Sequence, residues 1–186
     1  MSPITHLLIS WSAASSFKIE KKDRILATIA GVAPDIDGIG LGYDLLMKGD
    51  GQALEYWSTY HHTLCHNIGF GALLTITAYL SASRRWLTSG LVLLCFHLHL
   101  LCDILGSRGP DGDQWPIPYL EPFFDVWQLS WAGQWQLNAW QNISITLAAI
   151  FFILYQTHKY GLSPLEIISS RANRVFADTI QKRFQT

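Results

Sequence analysis

Two long apolar runs, at about residues 63–82 and 86–106, constrain this chain more than any other feature. Between His66 and Cys102 the only charges are Arg84 and Arg85, which fall between the runs. Uninterrupted apolar stretches of this length are too long for strands, so they read as two helices joined by a basic turn. Each is near the ~20 residues that cross a bilayer. A third apolar run, residues 139–156, is flanked by Trp140 at one end and by Tyr155, Lys159 and Tyr160 at the other, as at a membrane interface.

The remainder supports an all-α chain, since no period-two alternation stands out between turn signals. Residues 4–17 read as a short apolar helix, followed by a charged knot from Lys18 to Arg24. Residues 25–33 are apolar again and stop at Pro34, because a helical residue before proline is disfavoured. Residues 34–40 read as a loop, and residues 41–58 as one or two short helices broken at Gly49–Gly51. Residues 107–138 form a Gly/Pro/Trp-rich connector. Pro164 opens an amphipathic helix whose apolar positions (Leu165, Ile168, Ala172, Val175, Phe176, Ile180, Phe184) recur at helical spacing. The expected organisation is a multi-helix bundle with transmembrane helices over 1–160, then a C-terminal amphipathic helix over 161–186.

Composition excludes several classes. Hydrophobic residues make up 49% of the 186 and charged residues 15%, against about 25% charge in an ordinary soluble domain. That is too apolar for disorder. Thirteen Lys+Arg against 14 Asp+Glu give a net charge of −1, so there is no basic field for nucleic acid. Cys65, Cys95 and Cys102 are odd in number with no CxxC pair, which excludes a disulfide framework. The first residues lack a basic n-region, so no secretory signal is expected.

Against this background the few ionisable residues are informative. His66 lies 18 residues before Arg84, and Asp103 lies 18 residues after Arg85. At 1.5 Å per residue both stand about 27 Å from the hairpin tip, at one height. The first hairpin repeats the pattern: His6 lies 12 residues before Lys18, and Asp35 lies 11 after Arg24. His62 and His66, and His99 and Asp103, are i,i+4 pairs and share a helix face. Four segments thus put His and Asp residues at the bundle end opposite the basic tips. Imidazole and carboxylate inside apolar helices are costly unless paired or coordinated. Together they suit a divalent metal, zinc first, with Mn or Fe as alternatives, and the lack of a Cys ligand set argues against a structural zinc site. The expected ligands are His66, His99, Asp103 and Asp35, with His6, Asp37, His61 and His62 as second choices. More candidates than one zinc needs make a two-metal site reasonable, and Asp35 or Asp103 would orient the attacking water.

The series His6, Pro34-Asp35-Ile36-Asp37, His61-x4-His66 and His99-x3-Asp103 resembles a family of bacterial membrane-bound metal-dependent hydrolases, one branch of which is labelled LexA-binding and inner-membrane-associated. The likeness runs from residue 6 to about residue 122. More distantly the order resembles the zinc-dependent phospholipase C and single-strand nuclease superfamily. His62 stands where the nearer family usually has Arg, and the further His and Glu of the phospholipase group have no clear counterpart after Asp103. The resemblance implies a multi-pass protein of the inner (cytoplasmic) membrane that hydrolyses phosphoesters with metal-activated water. The apolar setting of the candidate ligands adds membrane lipid and a small-molecule or lipid-linked phosphoester as the expected partners. The positive-inside rule puts the Arg84–Arg85 tip and the basic C-terminal tail in the cytoplasm and the metal end outside. Two other readings stay open at this point: a non-catalytic membrane protein with a structural metal site or a regulator-docking role, and a soluble all-α phosphoesterase.

Overall fold

The computed structural model describes residues 1–40, 46, 61, 63–109, 112–124 and 126–184. The short helices expected over 41–58 and the candidate ligand His62 lie outside the described residues. Within them the chain is all-α: α1 (Pro3–Ser15), α2 (Lys21–Ala30), a 3₁₀ turn (Ala33–Ile39), α3 (Ile68–Ser81), α4 (Arg85–Gly106), α5 (Trp140–Tyr160), a second 3₁₀ turn (Pro164–Ile167) and α6 (Ser170–Arg183).

Local chemistry sets the boundaries. Ser2 caps α1 by accepting the Thr5 amide, with Pro3 at the first helical position. The charged knot is not a free tip, because α2 starts inside it and Asp23 sits in its first turn, where the helix dipole favours a carboxylate. The loop expected after Pro34 is a 3₁₀ turn. The first run of the hairpin becomes helical only at Ile68. Asn67 Oδ1 accepts the Phe70 amide at 3.0 Å while its Nδ2 donates to the Thr63 and Leu64 carbonyls, holding 63–67 as a turn. Pro164 likewise opens only the second 3₁₀ turn, and α6 waits for the Ser169 cap.

α4 is the central helix and packs against α1, α2 and α3, while α1 also meets α5, which carries α6. One core cluster is built largely of small residues (Ala14, Ala27, Ala30, Ala78, Cys95) with Leu91 and Val92. Small residues let helix backbones approach closely. A Cβ on Gly71 would strike the Phe96 ring, so that glycine sets how near α3 can lie to α4. A second cluster, Phe96, Leu100 and Ile117, joins the connector to α4.

Among the described residues α4 alone is long and apolar enough to cross a membrane. At 1.5 Å per residue it measures about 33 Å, whereas α3, with its 14 residues, measures about 21 Å and falls short of a bilayer core of about 30 Å. The expected pair of spanning runs is therefore one spanning-length helix and one short one. α5 has the length, but Gln141, Asn142, Gln156, Thr157 and His158 dilute its hydropathy. Large apolar side chains nevertheless face outward on α3 (Leu73, Ile76, Leu80), α4 (Leu93, Leu94, Leu101) and α5 (Ile143, Leu147, Phe151). An apolar surface spread over three helices is unusual for a protein bathed in water.

Candidate metal centre

The bundle end opposite Arg84–Arg85 gathers His6 from α1, Asp35 and Asp37 from the first 3₁₀ turn, His61 and His66 from the turns before α3, and His99 and Asp103 from α4. His6, His66, His99 and Asp103 are buried, each at most 2% exposed. Ligand atoms of His6, Asp35, His99 and Asp103 all lie within 4.8 Å of one another. His66 adjoins them through its Nε2, at 3.1 Å from His99 Nε2 and 3.5 Å from Asp103 Oδ2. His99 Nε2 in turn is 3.0 Å from Asp103 Oδ2 and 3.9 Å from Asp35 Oδ1. Atoms bound at about 2.0–2.1 Å to a tetrahedral zinc stand about 3.3 Å apart, so these spacings are of the size a shared cation imposes.

The hydrogen bonds behind the rings show which nitrogens point inward. His99 Nδ1 lies 2.9 Å from the Gly31 carbonyl, which can only accept, so Nδ1 carries the hydrogen. A Cβ on Gly31 would overlap the Ser10 hydroxyl, so this close approach of α2 to α1 requires glycine. His66 Nδ1 lies 3.0 Å from Asp37 Oδ2 and donates to it. Two neutral imidazoles set in this way would face each other at 3.1 Å with Nε2 lone pairs. That contact is repulsive unless a cation, proton or metal, lies with it. Asp35 Oδ2 and His6 Nδ1 are buried without a hydrogen-bond partner, and Asp103 Oδ2, though 3.0 Å from His99 Nε2, has no well-aligned donor. A buried carboxylate oxygen left so costs several kcal/mol, roughly, unless something positive answers it.

The carboxylates divide by role. Asp37 accepts from His61 Nδ1 and His66 Nδ1, each at 3.0 Å, and from the Cys65 amide at 3.2 Å. Burial pushes its carboxyl up, but those donors outweigh burial and hold it below the ordinary carboxylate range. It thus stands behind His66 rather than beside Asp103, as the carboxylate partners of metal-bound histidines do. Burial pushes the Asp35 carboxyl up, against the pull of His99 and with the push of Asp103. Burial opposes charge on His66, yet Asp103 and Asp37 together raise it to about 9. His6 Nε2 meets Asp103 Oδ1 at 3.1 Å, and its ring stacks on His99 with centroids 3.9 Å apart. His97 points elsewhere, onto the Tyr119 hydroxyl at 2.8 Å.

Sequence reasoning missed three partners. Ser107 Oγ, from the C-cap of α4, donates to Asp103 Oδ1 at 2.7 Å, and its i+4 spacing from Asp103 was the available signal. The Met1 ammonium also reaches Asp103 Oδ1. The Gly31 carbonyl left no trace in residue type. Beside the cluster opens a cavity of about 830 Å³, lined among others by Asp35, His61, Ser107, Arg108, Trp115 and Asn138.

Residues 1–168 match the family described as YdjM inner membrane protein, and the chain belongs to that family. No curated protein and no solved structure matches the chain.

Proposed function

We propose that this member of the YdjM inner membrane protein family is a metal-dependent hydrolase of phosphoester bonds, with α4 crossing the membrane. The observation that carries the reading is the inward pair of imidazole nitrogens, His66 Nε2 and His99 Nε2. They meet Asp103 Oδ2 in the buried interior, and Asp35 beside them lines a cavity large enough for a small molecule or a headgroup. His66, His99, Asp103 and Asp35 would hold the metal, with His6 and Asp37 fixing Asp103 and His66. A nitrogen and oxygen donor set suits Zn or Mn. When bound, the cation supplies Lewis acidity and makes water a nucleophile at neutral pH.

The chain's own residues then have separate tasks. Asp35 lines the cavity, where its carboxylate is placed to accept a proton from the attacking water. Asp103 anchors the histidines electrostatically. In the reaction the water oxygen bonds to phosphorus, the bond from phosphorus to the ester oxygen breaks, and the proton passes to the leaving alcohol. The orientation follows from charge: Arg84–Arg85 and the basic tail in the cytoplasm, the metal end outside.

Detergent-purified protein should hydrolyse a phosphomonoester or phosphodiester such as p-nitrophenyl phosphate or its bis ester. Chelation should stop the reaction, and Zn or Mn should restore it. A metal-loaded protein inert across phosphoesters of both kinds, including lipid-linked ones, would contradict the reading and leave the cluster a structural metal site.

A further inference from the structure

We propose that Arg108 is an oxyanion-binding residue, which holds a phosphate-type group in the cavity beside the metal cluster. As a statement about substrate it rests on the hydrolase reading, but the anion site itself is testable without turnover.

Among the described residues Arg108 is the only Lys or Arg on the cavity wall. Its guanidinium is held in place, since Nε donates to the Gly112 carbonyl at 2.9 Å. Its backbone is fastened on both sides: its amide donates to the Trp135 carbonyl at 3.1 Å, and its carbonyl accepts the Leu137 amide at 3.3 Å. The residue before it, Ser107, bonds Asp103, so a short stiff link joins the guanidinium to the cluster. Among the described residues no carboxylate lies within ion-pair distance of Arg108.

A partly exposed arginine with no acidic partner among the described residues, on the wall of a cavity that Asp35 also lines, is suited to one chemical use. Its Nη groups present a planar fork to a tetrahedral oxyanion, which bonds it bidentately. The same chemistry serves a soluble phosphate ester and a phospholipid headgroup.

Inorganic phosphate titrated calorimetrically into metal-loaded, detergent-purified protein should bind. R108A should weaken that binding at least tenfold with metal content unchanged. R108K should fall between, because it keeps the charge and loses the fork. R108Q, which can still donate to Gly112, covers the case in which R108A misfolds. Titration with glycerol phosphate and with dihexanoyl phosphatidic acid separates the sources. Equal affinities indicate a soluble ester, and tighter binding of the second a lipid headgroup. Phosphate affinity that is the same in wild type, R108A and R108Q at equal metal content would overturn the proposal. Arg108-dependent phosphate binding without phosphoester turnover would keep the anion site and remove the hydrolase reading. Turnover with Arg108-independent binding would do the reverse.

Discussion

The two ends of the helical bundle both bury charge, and they bury it in opposite ways. At the basic end, Asp23 accepts from the Ser83 and Arg84 amides and the Thr88 hydroxyl, each at 2.9 Å. Arg24 meets both oxygens of Glu166, at 2.5 and 2.6 Å, and Trp11 Nε1 adds a third bond at 3.0 Å. Both oxygens of Asp23 and both of Glu166 have a donor. At the other end Asp103 Oδ2 and Asp35 Oδ2 have none that is well aligned, and two imidazole nitrogens face each other. Satisfied buried charge fixes a fold, whereas unsatisfied buried charge persists where something else answers it. One end is architecture: Asp23 caps α4, and the Arg24–Glu166 pair ties the second 3₁₀ turn to α1 and α2. The other end is chemistry held ready.

The contrast can be broken from either side. The largest expected effect is on the architectural side. R24A strands the buried Glu166 carboxylate and should cost about 3–5 kcal/mol of stability, read by thermal or denaturant unfolding, with metal stoichiometry unchanged. Replacing both partners by apolar residues, as in R24M/E166M, should recover much of that loss. A metal loss in R24A that the double variant does not reverse would mean the ends are not separate. Next comes D37N, which keeps the shape and weakens the carboxylate behind His66. It should lower metal affinity about 10–100-fold with little change in fold stability. If affinity holds and stability falls instead, Asp37 belongs with the architecture.

The smallest effect is expected for D23N, about 1–2 kcal/mol at neutral pH. Burial pushes the Asp23 carboxyl up, but the Arg84 and Ser83 amides, Thr88 and Lys22 together hold it below its ordinary value of 3.8. A carboxyl lowered in the folded state stabilises fully above its unfolded value and loses that contribution as pH falls through the lower folded value. The gap between wild type and D23N should therefore be constant near neutrality and close in acid below about pH 4. A gap that stays open in acid would place the effect in packing rather than charge.

The sequence made the site legible for one reason: in a chain with 15% charge, the height of each His and Asp along a helix can be counted from a basic tip. That count brought His6, Asp35, His66, His99 and Asp103 to one level, and they do meet. It put His6 and Asp37 second without a role for either, because a role depends on what each ring's second nitrogen touches. Asp37 differs from Asp35 only by facing His61, His66 and the Cys65 amide. Hydropathy runs on to residue 63 and predicts a longer α3, while the backbone obeys the Asn67 cap. Arg24 and Glu166 are 142 residues apart, a pairing that no local pattern announces.

Metal analysis of the detergent-purified protein, wild type beside H99A/D103A, tests the central claim most directly. The His/Asp cluster as a metal centre requires roughly stoichiometric Zn or Mn in the wild type and none in the double variant. The same metal content in both would contradict it.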